Sequence, residues 1–130
     1  MGVRRKKVLL YTPGTEESGN RIQSLLEMYV PERQMDVYHT IEGLAEGLKA
    51  PHEGEVVAVL QANSQEDLSA LLSIRHWLQN IKTILLAPNR EEETIALSHQ
   101  LRPRFLSYIN NDNDLYHVAA VLEKMLKDHG

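Results

Sequence analysis

The residues with the spacing of a chemical site are few. Gly14 and Gly19 bracket Thr15, Glu16, Glu17 and Ser18, which is the glycine spacing of a phosphate-binding loop. Such a loop wraps phosphate oxygens in main-chain amides and continues with a lysine and a hydroxyl residue. Here Asn20 and Arg21 follow instead, and two glutamates lie inside the would-be anion cradle, so the run reads as a turn and a helix start. Six histidines, at 39, 52, 76, 99, 117 and 129, are scattered without the His-x-His or His-Glu-x-x-His spacing that puts two imidazoles on one metal. No cysteine is present, which removes thiolate ligands, disulfides and thiol catalysis. No serine occupies a Gly-x-Ser-x-Gly nucleophile elbow, and Ser107 falls inside an apolar, strand-like run. These absences lead to the expectation of no enzyme activity, no metal and no cofactor.

The elements that would position any site are clearer. Val56 to Leu60 is an uninterrupted apolar run within Glu55 to Asn63, as expected of a strand buried on both faces at the middle of a sheet. Val8 to Tyr11 and Thr83 to Ala87 are similar runs, each stopped by turn residues, Thr12-Pro13-Gly14 and Pro88-Asn89. Met35 to His39 alternates as an edge strand would, with Met35, Val37 and His39 on one face and Asp36 and Tyr38 on the other. Phe105 to Ile109 is the fifth strand.

Helical stripes fill the intervals. Thr15 is placed to cap a first helix carrying Ile22, Leu25, Leu26 and Tyr29, which Pro31 ends. Thr40 caps a second with Ile41, Leu44, Ala45 and Leu48, closed by Pro51. Ser64 and Asp67 form a capping-box pattern for a third that runs to about Asn80, with Leu68, Leu71, Leu72 and Leu78 on one side and Trp77 off it. Asn89 and Glu92 repeat the pattern for a fourth, ending before Pro103. After the turn-forming cluster Asn110 to Asp114, the residues Leu115, Val118, Ala119, Leu122, Met125 and Leu126 make the cleanest stripe of all.

Five strands alternating with five helices over residues 1–130 predict one α/β domain with a doubly wound, five-stranded parallel sheet of order 2-1-3-4-5, a flavodoxin-like arrangement. Ligands of such sheets bind outside the carboxyl ends of the strands, where Gln61, Ala62 and Asn63 follow the central strand. All five helices then start at that edge and bring Glu16, Glu17, Glu66, Asp67, Glu91, Glu92, Glu93, Asp112 and Asp114 towards it. Acids in first turns complement helix dipoles without any ligand, and they disfavour an anion. A flavin or nucleotide bound by Thr12 to Gly19 is the alternative reading, and it would set Glu16 and Glu17 beside the phosphate.

At 130 residues the chain is long enough to bury a core, and its formal charge of −4 argues against direct contact with nucleic acid. Arg4 to Lys7 is the one basic run and reads as a solvated leader to the first strand. The apolar run behind it is too short for a signal peptide or a membrane span, so a cytoplasmic protein without membrane contact is expected.

In layout the chain resembles, over nearly its whole length, the receiver domains of two-component response regulators. The resemblance implies an acidic pair after the first strand, a phospho-accepting aspartate after the third, a Thr or Ser after the fourth and a Lys-Pro in the fifth, which together hold magnesium and a phosphoryl group. In this chain those positions fall on Thr12 and Pro13, on Leu60 or Gln61, on Ala87, and on Tyr108 with Ile109. Phe105 alone matches, as the aromatic three residues before the lysine position. A carboxamide is no nucleophile and the metal carboxylates are missing, so the chain resembles a degenerate, or pseudo-, receiver. A subunit of a sugar-uptake phosphotransfer system would need a phospho-accepting His or Cys after the first strand, and neither is there.

The resemblance implies a signalling module that binds a protein partner, an output domain or a second copy of itself, whether alone or as part of a longer regulator. Receivers commonly pair through the side made by the fourth helix, fifth strand and fifth helix. On that side Ile95 and Val121 are expected as apolar contacts, with Phe105 and Tyr108 close by, and Trp77 marks a competing surface.

Overall fold

Within the central strand every residue from Val57 to Gln61 is buried, and the rest of the molecule is layered on that run. The computed structural model describes residues 6–14, 17–30, 34–52, 54–108 and 112–127. Its strands are β1 (Lys6–Tyr11), β2 (Met35–Tyr38), β3 (Glu55–Gln61), β4 (Lys82–Ala87) and β5 (Phe105–Tyr108). They form one sheet of order β2-β1-β3-β4-β5, and all four pairings are parallel. This is the doubly wound, flavodoxin-like arrangement that the apolar runs predict. The helices are α1 (Glu17–Glu27), α2 (Ile41–Lys49), α3 (Gln65–Ser73), α4 (Arg75–Leu78), α5 (Glu92–Gln100) and α6 (Asp112–Lys127). Among the described residues no helix is long and apolar enough to cross a membrane.

Alternation along each strand sorts side chains into two cores. Val8, Leu10, Val57, Val59, Ile84 and Leu86 meet Ile22 and Leu26 of α1 and Leu115, Val118 and Leu122 of α6. Leu9, Tyr11, Ala58, Leu60 and Leu85 face the other way, onto α2, α3, α4 and the end of α5. Full burial of one such leucine contributes about 1.5–3 kcal/mol. Lys6 is not part of a solvated leader: it starts β1 and is buried, where its Nζ donates to the Met125 carbonyl at 2.8 Å and lies 3.6 Å from Glu55 Oε2.

Two predicted caps form. Thr40 Oγ1 accepts the Gly43 N–H at 3.0 Å. Ser64 Oγ accepts the Asp67 N–H at 3.2 Å, and Asp67 Oδ2 reaches one residue past the cap to the Asn63 N–H at 2.8 Å.

Elsewhere the structure corrects the sequence pattern. The third helix does not run unbroken to Asn80. Ser73 Oγ donates to the Ala70 carbonyl, which in a continuous helix would accept the Ile74 N–H, and that N–H turns to Leu71 at 3.1 Å. The chain restarts as α4, so that Ile74 and Leu78 both reach the core while Trp77 stays 38% exposed. Asn89 is not the cap of the next helix. Glu91 holds that place without a side-chain bond, and Asn89 Oδ1 accepts the Glu91 N–H in a turn that precedes it. Tyr29 leaves the α1 stripe, because tightened bonds from Met28 to Leu25 and from Tyr29 to Leu26 turn it outward and carry Val30 into the core. His39 lies beyond the end of β2. The expected roles of Thr15, Glu16, Pro31, Ile109 and Asn110, and the side chains of Glu17 and Asp112, lie outside the described residues.

Candidate functional site

The parallel register brings four strand ends to one edge. Tyr11 pairs with Leu60, Leu60 with Leu85, Gln61 with Leu86, and Ala87 with Tyr108. Thr12, Gln61, Ala87 and Tyr108 therefore end their strands side by side, with Pro13 next to Thr12. Two main-chain bonds carry the ladder past the strands: the Thr12 N–H donates to the Tyr38 carbonyl at 3.0 Å, and the Ala62 N–H to the Leu86 carbonyl at 2.9 Å. Gly14 has a φ of 73°, a left-handed turn that glycine takes without strain, and it leads the chain away from this edge.

Each end presents a different group. Thr12 and Gln61 are buried, Ala87 offers a methyl group, and Tyr108 is half-buried beneath Arg90, whose guanidinium carbon lies 4.4 Å from the ring centroid. That stacking closes over the end of β5. Asp67 is committed through Oδ2 to the Asn63 amide. The charges of Asp67 and Glu42 still act on the nearby Tyr11 phenol. Burial first, then Asp67 and then Glu42 push its pKa up to about 12, so it stays protonated as a neutral donor.

His39 is the member of this edge that the sequence pattern missed. Its Nδ1 lies 3.0 Å from the Thr12 carbonyl oxygen and 3.1 Å from Thr12 Oγ1. Strand alternation alone places His39 with Met35 and Val37, and only the β1–β2 register shows it beside Thr12. Arg90 over Tyr108 likewise leaves no pattern in the sequence, since the pair joins the β4–α5 turn to β5.

The arrangement offers hydroxyl, carboxamide, phenol and imidazole groups, with no carboxylate at the ends of β1 and β3. Among the described residues no group of three or more His, Asp or Glu side chains is placed to hold a metal ion. No family model and no curated protein matches this chain.

The expected contact residues lie apart from this cluster. Ile95 on α5 and Val121 on α6 are half-buried on helices that cover opposite faces, with β5 as the sheet edge between them. Val121 packs against the α1–α6 core, as does Phe105, whose ring centroid is 5.6 Å from that of His117. Trp77 stands on α4 with Lys49 Nζ 5.2 Å from its ring centroid and the His76 ring at 4.8 Å. The large apolar side chains that are exposed among the described residues are Met28, Tyr29, Trp77 and Tyr116.

Proposed function

We propose that this chain is a non-enzymatic, receiver-like interaction module of the cytoplasm, a pseudo-receiver that signals by binding a protein partner, an output domain or a second copy of itself. The observation that carries this reading is the set of residues at the strand ends. The β1 and β3 ends hold Thr12, Pro13 and Gln61, so the positions that would bind magnesium and accept a phosphoryl group have no carboxylate. Ala87 and Tyr108 fill the two remaining positions with groups that neither donate a hydroxyl from a small side chain nor carry a lysine charge. A framework of this kind keeps its surfaces for recognition while its centre is chemically silent.

Incubation with acetyl phosphate and magnesium, followed by intact-mass measurement, tests this. The mass is expected to be unchanged. Gain of one acid-labile phosphoryl group would overturn the reading.

A further inference from the structure

At the edge opposite the candidate site, where the strands begin, the charge changes sign. A cleft of about 760 Å³ opens between α4 and the last turn of α5, lined by Arg75, Gln79, Asn80, His99, Gln100 and Arg102 among others. An adjoining depression of about 430 Å³ shares Gln79, Asn80 and Arg102 and adds Lys82 and Arg104. None of the lining residues of either is an acid. Among the described residues no carboxylate forms an ion pair with Arg75, Lys82, Arg102 or Arg104.

A second observation concerns the backbone. Arg102 follows α5 with a φ of 51°, the left-handed conformation in which helices usually place glycine, and its N–H donates to the His99 carbonyl at 3.1 Å. An arginine there is strained relative to glycine, yet this residue lines both depressions. Cations near helix C-termini also complement the helix dipole, but that role is open to any residue of the last turn and does not call for a side chain at the strained position.

We propose that this cleft binds a small phosphorylated molecule of nucleotide size, with Arg75 and Arg102 on one phosphate, Lys82 and Arg104 available to a second, and the amides of Gln79, Asn80 and Gln100 directed to its hydroxyl or ring groups. Guanidinium forks match phosphate oxygens in pairs, and the volume is that of an ordinary small-molecule pocket. A long polyanion fits less well, because the chain carries a net charge of −4 and the first turns of α2, α3 and α5, at the opposite edge, carry Glu42, Glu66, Asp67, Glu92 and Glu93. The site is independent of whether the carboxyl edge can accept a phosphoryl group.

Inorganic pyrophosphate is the probe, titrated into the full chain by calorimetry and by amide NMR against sodium chloride of matched ionic strength. Shifts are expected at Gln79, Asn80 and Arg102. Arg75→Gln and Arg102→Gly should each weaken binding about tenfold, as loss of one charge-assisted hydrogen bond would. Arg102→Gly should do so with an unchanged or higher Tm, since glycine relieves the left-handed strain, and this separates a ligand role from a structural one. Equal shifts with chloride, wild-type affinity in Arg102→Gly, or tighter binding of a short single-stranded oligonucleotide than of pyrophosphate would each overturn the proposal.

Discussion

His39 Nδ1 lies 3.0 Å from the main-chain carbonyl oxygen of Thr12, and because a carbonyl can only accept, that bond forms when the ring carries its proton on Nδ1. The bond ties the residue after β2 to the residue after β1. His39→Ala is expected to cost about 1 kcal/mol in denaturant unfolding, the usual net worth of such a bond. Thr12→Val, which keeps the carbonyl, should leave the His39 tautomer unchanged. Nitrogen–proton correlation NMR of the neutral ring should show the hydrogen on Nδ1, and a hydrogen on Nε2 would mean that Nδ1 accepts from the Thr12 hydroxyl instead.

Alkaline pH should weaken the fold through Tyr11. Its pKa in the folded chain is raised from 10.0 to about 12, so the unfolded chain releases the proton first. Its stabilising contribution is whole below pH 10.0 and is lost as pH rises to about 12. A shift of that size corresponds to roughly 2–3 kcal/mol. Tyr38 is raised too, by burial first and then by Asp36, and it adds a loss of the same sign. Tyr11→Phe should flatten most of the alkaline limb of the stability curve, and in wild type the Tyr11 phenolate should be late to appear in ultraviolet titration.

Gly47 lies inside α2, where alanine would ordinarily add about 1 kcal/mol of stability. Here a Cβ would collide with the hydroxyl and ring of Tyr38, which stands on the edge strand below. Gly47→Ala is therefore expected to destabilise by about 1–3 kcal/mol, as overpacking does. Tyr38→Leu in the same chain should recover part of the loss. A rise in the urea midpoint of the single variant would show that Tyr38 moves aside freely.

Self-association through the α5–β5–α6 side predicts that Ile95→Glu lowers the dimer fraction in analytical ultracentrifugation with circular dichroism unchanged. Ile95 is the better probe, since Val121 also packs against the core and its replacement would disturb folding. Trp77→Ala should leave association intact. If Ile95→Glu associates like wild type while Trp77→Ala dissociates, α4 carries the contact instead.

The strands were legible because burial on both faces leaves continuous apolar runs, and the runs around Val8, Val57 and Ile84 mark the middle of the sheet. Stripes such as Leu115 to Leu122 were equally plain. The break at Ile74 was not, because one hydroxyl on Ser73 competing for one carbonyl leaves no periodic trace. Asn89 misled because its carboxamide serves a turn and a cap equally well, and only the dihedral angles separate the two uses. The His39–Thr12 bond needs the register of two strands, and the left-handed Arg102 is a conformation that no residue type announces. The strand-end positions at Thr12, Gln61, Ala87 and Tyr108 were readable from strand order alone, whereas the basic cleft joins residues of α4 and α5 with those of the two turns that follow these helices.

Leu9 and Leu10 are adjacent in the chain yet pack in different cores, since the sheet puts one on each face. Over generations of sequence drift, a smaller residue at Leu10 would be offset by a larger one on α1 or α6, more than ten positions away, while Leu9 answers to α2 and α3. The two halves of the interior can then diverge on separate clocks, and family resemblance can fade from one side of the sheet while the other still holds its pattern.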